Sequence, residues 1–520
     1  MKFAPVLIGL MTVFFLASCH QKKRLSETEI TQIAKEAYIY GYPIVENYRN
    51  MTVFAIDTQN PDFVKPFNEL ATLPVQQMSD VVVVETEEAI QNGRSEKIQS
   101  QTEISLKPGV DIAYGSAWLD LRREPLVVTI APVNDKRYFS VQFIDLFGNE
   151  FDYFSNRKDG NQGGRLLVTA PGWKGIKPAG VSRIVTSPSA FVHALFRIQL
   201  GNMTDAGKND TVSAQYKIKP LSEYAGITPP SSPEPVNFPI YNSAKAKTPE
   251  FFTYLDFMLQ FCTIPKEESG MMKRFAEIGI VPGKAFDYSI LSDSEKKALI
   301  DGMAAGQAEL DAMSKTNVRI PVLYGNSSNL MKENYPYRAY MALKNLYGNS
   351  SEEIWGIVYE VSASNKRLNG KNRYELKFEK DELPPVNVFW SLTAYPSSPQ
   401  SSAFTPYSAY AFSSNRQSYK MNEDGSLTLT LQQDNPGEEK QGNWMPVPKG
   451  RFFLLLQLYQ PKEEVLKGQW PSPKIVRTNN SSVMDSASVK FPANPELKQP
   501  VLAKAAYKQN PENKKAQSSR

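Results

Sequence analysis

The chain has 520 residues, of which 41 % are hydrophobic and 22 % charged, with a formal net charge of +5. This composition fits a globular body of several domains and excludes a collagenous, low-complexity or strongly acidic disordered chain. The basic excess is small, and neither Lys22–Arg24 nor the tail with Lys504, Lys508, Lys514, Lys515 and Arg520 interleaves aromatics with its charges, so nucleic acid is not an expected partner.

Residues 1–18 read as a secretory leader: Lys2 is the charged start, and Val6 to Leu16 form an apolar run too short to anchor as a transmembrane helix. The run closes on Leu16-Ala17-Ser18-Cys19, a pattern that resembles the bacterial lipobox. The resemblance implies cleavage before Cys19, acyl chains on its thiol and new amino terminus, and a membrane partner reached through that anchor. Each buried methylene of such a chain contributes roughly 0.8 kcal/mol to attachment. His20, rather than Asp, follows the cysteine. By the usual sorting rule this implies an outer-membrane address. Residues 19–24 are read as a tether.

The remaining cysteine, Cys262, has no partner for an internal disulfide, so stability must come from core burial. With only two histidines, His20 and His193, a histidine-built zinc site is excluded, and no metal or cofactor is expected. A Ser-His-Asp triad would have to use His193, which lies in the apolar run Phe191–Phe196 and reads as a buried structural histidine. The sequence contains no Gly-rich phosphate loop, G-x-S-x-G elbow or H-E-x-x-H.

The first expected element is an N-terminal helical region over 25–60, with the helix itself read over 25–51. Ser26 and Glu29 form a capping box, Ile30, Ile33, Ala34, Ala37 and Tyr38 recur at helical spacing, and Gly41 and Pro43 mark an end or kink. Residues 61–225 read as a β-sandwich, with alternation over Tyr138 to Ile144 and turns at Gly163-Gly164 and Pro171-Gly172. A Pro/Ser-rich connector over 228–236 leads to a helical segment at 240–316. There Thr248-Pro249-Glu250 starts one helix, with Phe251, Phe252, Leu255, Met258, Leu259 and Cys262 on one face, and the Ser292/Glu295 box starts another. Gly302 and Gly306 weaken the second helix by propensity. Residues 317–495 read as a jelly-roll-like β domain, with alternation at Tyr374–Phe378 and Leu427–Gln432 and a strand covered on both faces at Phe452–Tyr459. Residues 496–520 have no periodicity and read as a disordered tail. The fold class is mainly β with a helical insertion (α+β): an Ig-like β-sandwich, a helical segment and a C-terminal jelly-roll-like β-sandwich.

The segment Asp111–Arg123 carries the functional signal. As a strand, its odd positions Ala113, Gly115, Ala117, Leu119 and Leu121 make a core face. Its even positions Tyr114, Ser116, Trp118, Asp120 and Arg122 make a face of aromatics, hydroxyls and opposite charges, extended by Tyr138, Ser140 and Gln142. Such a face suits a ligand cleft or a contact with the second sandwich. The ligand-binding candidates are Trp118, Tyr138, Gln142, Asp145 and Arg338. The catalytic candidates are Asp111, Tyr114, Asp120 and Arg122.

The runs Tyr114–Leu126, Arg137–Phe147 and Ala170–Gly175 resemble domain of unknown function 1254. Phe389–Tyr395, Asp424–Leu427 and Asn443–Pro448 resemble its usual partner, domain of unknown function 1214, in the same order along residues 30–480. The resemblance implies the same succession of sandwich, helices and jelly-roll-like domain, and no particular activity. Tyr337-Arg338-Ala339 resembles a further segment of the family, and implies an anion-binding or interdomain role for Arg338. The chain departs from the family at Gly109–Ile112, where an Asn-x-Asp-Thr run is usual and only Asp111 is kept. It also departs at Gln457, where Arg is usual, and at Gln460, where Trp is usual.

Three functional expectations follow. The first is an envelope lipoprotein that binds a small molecule or glycan at a domain interface. The second is a hydrolase or lyase acting through carboxylate, Tyr and Arg residues on an envelope or extracellular substrate. The third is an oligomer-forming scaffold of the envelope.

Overall fold

The computed structural model describes residues 25–73, 88–91, 94–97, 111–133, 137–200, 214–316, 334–397, 410–415 and 419–478. The leader, Cys19, the tether and the tail expected over 496–520 lie outside the described residues.

Helix α1 (Glu27–Met51) opens on the expected capping box: the Ser26 side chain accepts from the Glu29 backbone and Glu29 reaches back to the Ser26 amide. The helix does not end at Gly41 or Pro43; it continues to Met51 and into a π-helical turn at Thr52–Ile56. Packing overrides the local breakers. Gly41 is needed because a Cβ there would sit 2.6 Å from Leu255. The expected helical segment is divided into α2 (Phe251–Leu259), α3 (Ser269–Glu277) and α4 (Asp293–Thr316), with α5 (Tyr335–Asn345) following. Ser292 and Glu295 cap α4 reciprocally, as their spacing predicts. Gly302 and Gly306, which count against a helix by propensity, lie where α4 presses on α1: a Cβ on Gly302 would fall 2.5 Å from the Thr31 carbonyl oxygen. These helices bury one apolar cluster that also takes Trp118 and Phe191 from the first sandwich and Tyr395, Phe453 and Leu455 from the second.

The first sandwich pairs two sheets. One holds β1 (Ala71–Leu73), β4 (Ile112–Asp120), β10 (Phe191–Gln199), β6 (Phe139–Ile144) and β7 (Glu150–Ser155), in that order. The other holds β11 (Tyr216–Pro220), β5 (Leu126–Ile130), β8 (Gly164–Thr169) and β9 (Arg183–Thr186). A separate hairpin is made by β2 (Glu88–Gln91) and β3 (Arg94–Lys97). The core between the two sheets takes Ala117, Leu119 and Leu121, the face that alternation assigns to it.

The second sandwich also has two sheets. One is β12 (Ile354–Tyr359), β18 (Phe452–Pro461), β14 (Val386–Pro396) and β15 (Ala411–Ser413); the other is β17 (Trp444–Met445), β16 (Leu427–Leu431), β13 (Tyr374–Phe378) and β19 (Ile475–Arg477). All ten residues of β18 are buried. Leu454, Leu456 and Leu458 fill the sandwich core, while Phe453 and Leu455 face the helices and Tyr459 the first sandwich. The molecule is α+β, with two β-sandwiches and a helical layer that touches both.

Candidate functional site

The polar strand face predicted from the sequence lies between the sandwiches, not in an open groove. Tyr114 and Tyr138 of the first sandwich cluster with Ile354, Phe389 and Tyr459 of the second. The Tyr138 and Tyr459 rings are 5.1 Å apart, and Phe389 stacks on Tyr459 at 4.1 Å. Trp118, only 2 % exposed, donates its indole N–H to Asn50 Oδ1 at 3.1 Å and stacks on His193. The Tyr138 hydroxyl donates to Ser140 Oγ.

Gln142 is fully committed. Its Oε1 accepts from Arg197 at 2.8 Å, and its amide N–H group donates to Glu150 and to the Gly348 carbonyl in the linking segment. Asp145 accepts from the Asn149 backbone at 2.9 Å and so ties the β6–β7 turn; burial pushes its carboxyl up to about 6, against the opposing pull of the Asn149 hydrogen bonds and Arg338. Arg338 is buried in a box of Tyr40, Phe147 and Tyr335 rings, each about 5 Å from its guanidinium carbon. All five ligand-binding candidates therefore lie in the buried layer between sandwiches and helices.

The four catalytic candidates do not converge. Asp120 and Arg122 form an ion pair with each other at 2.7 Å, at the end of β4. Asp111 precedes the other end of that strand, roughly 30 Å away along nine residues of extended chain. Side chains on one face of one strand share an environment type without sharing a place.

Residues that periodicity does not single out are more informative. His193 Nε2 lies 2.8 Å from Ser116 Oγ, an arrangement that begins like a nucleophile–base pair. Its Nδ1 is buried with no hydrogen-bond partner among the described residues, so no carboxylate orients the ring. Burial, with the charge of Arg197, lowers the imidazole to about 3 and keeps it neutral.

Across the interface, Ser391 and Gln457 are register partners on β14 and β18, and Thr393 and Tyr459 lie two residues along from them. Ser391 Oγ, Thr393 Oγ1, Gln457 Oε1 and the Tyr459 hydroxyl are all buried and unpaired among the described residues. Their sequence signal was available: Ser391, Thr393, Gln457 and Tyr459 interrupt otherwise apolar strands on alternate positions. Glu150 also belongs to this layer. Burial pushes it up to about 8 in spite of hydrogen bonds from Tyr153 and Gln142.

The lower edge of the interface is held by ionic and amide contacts. Glu353 accepts from Ser155 Oγ and from Arg157, each at 2.8 Å, and Gln460 donates to Asn156 at 2.6 Å. Among the described residues no group of three or more His, Cys, Asp or Glu side chains is placed to hold a metal ion. No helix of the described residues is long and apolar enough to cross a membrane.

Two family models and one solved structure agree with this architecture. The family model "Protein of unknown function (DUF1254)" matches residues 92–220, and "Protein of unknown function (DUF1214)" matches residues 356–463. The crystal structure of the VPA0106 protein from Vibrio parahaemolyticus superposes with a TM-score of 0.67 at 22 % identity, covering 86 % of this chain and 100 % of that one. A putative uncharacterized protein from Burkholderia cenocepacia gives a TM-score of 0.37 at 10 % identity, over 72 % of this chain and 77 % of that one. No curated protein matches. The chain thus carries a DUF1254 domain at residues 92–220 followed by a DUF1214 domain at residues 356–463.

Proposed function

We propose that this protein is a lipid-anchored protein of the bacterial cell envelope that encloses a small polar molecule between its two sandwiches. One observation carries the binding reading. His193 Nδ1, Ser391 Oγ, Thr393 Oγ1, Gln457 Oε1 and the Tyr459 hydroxyl are buried on the two faces that meet, without protein partners among the described residues. Each unsatisfied buried group costs about 1–3 kcal/mol, so five together rival the roughly 5–15 kcal/mol of net stability of a typical fold. A ligand that hydrogen-bonds to them converts that cost into affinity. All five groups are uncharged, with His193 kept neutral by burial. They suit a neutral molecule carrying both donors and acceptors.

The envelope location rests on Leu16-Ala17-Ser18-Cys19, with the outer membrane favoured by His20. The hydrolase or lyase alternative has less support, because Asp111 and Asp120 sit at opposite ends of β4 and the Ser116–His193 pair has no orienting acid among the described residues.

The test is thermal unfolding of the ligand-stripped protein with and without the low-molecular-mass fraction of an extract from the cells that make it. Binding to the folded state alone raises the midpoint, by about 2.7 kcal/mol of stabilisation at a hundredfold excess over Kd. An unchanged midpoint with every fraction contradicts the proposal.

A further inference from the structure

A cavity opens at the edge of the domain interface. It is a cleft of about 470 Å³, within the usual size of small-molecule sites. Asn156, Asn161 and Gln162 of the first sandwich line it, together with Asn387 and Gln460 of the second. Val133 and Val388 complete the wall, and among the described residues no charged side chain takes part.

The backbone is irregular where these residues meet. Asn387 and Val388 form a bulge in β14: the register slips between Val386 and Phe389, so that two residues oppose the single Gln460 of β18. Gln460 is a buried non-glycine residue at φ 53°, a left-handed conformation that costs roughly 1–2 kcal/mol. Across the cleft, Gly163 turns at φ 67° so tightly that a Cβ would stand 2.4 Å from the Ile130 carbonyl oxygen. Bulges and left-handed residues concentrate where a side chain must be re-aimed.

Here the result is a fixed amide relay across the domain boundary. Gln460 Nε2 donates to Asn156 Oδ1 at 2.6 Å, and Asn387 Nδ2 donates to the Gln460 carbonyl at 3.1 Å. These bonds set the orientation of three carboxamides. They leave Asn156 Nδ2, Gln460 Oε1 and Asn387 Oδ1 as a mixed row of donor and acceptors. Asn161 Nδ2 is buried nearby with no partner among the described residues.

We propose that this amide-lined cleft binds a short neutral oligosaccharide. Vicinal hydroxyls each donate and accept, which matches carboxamides better than any charged lining, and the two valines suit the C–H faces of sugar rings. Anions find no cation among the described residues of the wall, and the adjacent Arg157 is already paired with Glu353. None of the five unpaired groups between the sandwiches belongs to this lining, so the site goes beyond the function proposed above and stands or falls separately.

The test is calorimetric titration of the full chain with maltotriose, cellotriose and tri-N-acetylchitotriose. At least one is expected to bind. Its affinity should change less than about twofold when salt is raised tenfold, because the described lining carries no fixed charge. Asn387→Ala should weaken it about tenfold. Gln460→Gly is the control for folding: glycine accepts the left-handed φ without strain, which offsets part of the lost bond to Asn156, so this variant should remain folded and still lose binding. The proposal is overturned if none of the three sugars binds, if binding survives Gln460→Gly undiminished, or if inorganic phosphate binds the cleft more tightly than the sugars do.

Discussion

Ser391 and Gln457 face each other across β14 and β18 on a sheet surface that is buried against the rest of the molecule, and Ser391 Oγ and Gln457 Oε1 both lack a hydrogen-bond partner among the described residues. An apolar replacement of similar shape removes the desolvation cost of such a group. In ligand-stripped protein, Ser391→Ala and Thr393→Val should therefore leave the thermal midpoint unchanged or raise it by about 1–3 °C. A fall of many degrees in either variant, measured by calorimetry, would show that these hydroxyls already have partners.

Trp118 unites the first sandwich with the helical layer. It is buried in the helical cluster, bonded to Asn50 and stacked on His193. Trp118→Ala should cost about 3–5 kcal/mol in denaturant unfolding, as expected of a large aromatic in a core. Trp118→Phe, which keeps the stacking but not the indole N–H, should recover more than half of that loss.

The α1–α4 contact depends on two glycines. A Cβ on Gly302 would meet the Thr31 carbonyl oxygen at 2.5 Å, and one on Gly306 would meet the Tyr38 ring at 2.7 Å. By helix propensity alone Gly→Ala gains up to about 1 kcal/mol, but overpacking costs about 1–3 kcal/mol. Backbone cannot swing aside as a side-chain tip can. Gly302→Ala should therefore destabilise, and by more than Gly306→Ala, in the same urea titration.

Two buried carboxyls make stability fall as pH rises. Burial pushes Asp256 and Glu150 each up to about 8, above the ordinary carboxyl range. The folded state then holds more protons than the unfolded state between about pH 4 and pH 8. Each group contributes fully below its unfolded value and is lost across that window, at up to about 1.4 kcal/mol per pH unit. Asp256→Asn should match the parent near pH 4 and become progressively more stable than it toward pH 8. Parallel curves of midpoint against pH would contradict this assignment.

The sequence exposes the parts of this fold where one physical signal dominates. Alternation assigns both faces of β4 correctly because Ala117, Leu119 and Leu121 can only serve a core. The capping boxes at Ser26 and Ser292 are local and form as read. Breakers mislead when they are read without their neighbours, and a polar stripe read alone leaves its partner open. Gly41, Gly302 and Gly306 count against helices by propensity, yet each is a point of close helix or side-chain approach. Alternation leaves the aromatic and polar face of β4 open between a ligand cleft and a contact with the second sandwich, because the residues that meet it come more than two hundred residues later in the chain. The amide cleft is invisible to motif reading: Asn156 and Gln460 meet only through the pairing of two domains.

A small molecule that completes the hydrogen bonding between the sandwiches adds its mass to the folded protein. Intact-protein mass spectrometry of the full chain, sprayed first from a native and then from a denaturing buffer, tests it most directly. The account predicts a native mass higher by one small molecule, and no such difference in a Thr393→Val/Gln457→Leu double variant that remains folded. Equal native and denatured masses in the parent protein, purified without delipidating or stripping steps, would contradict it.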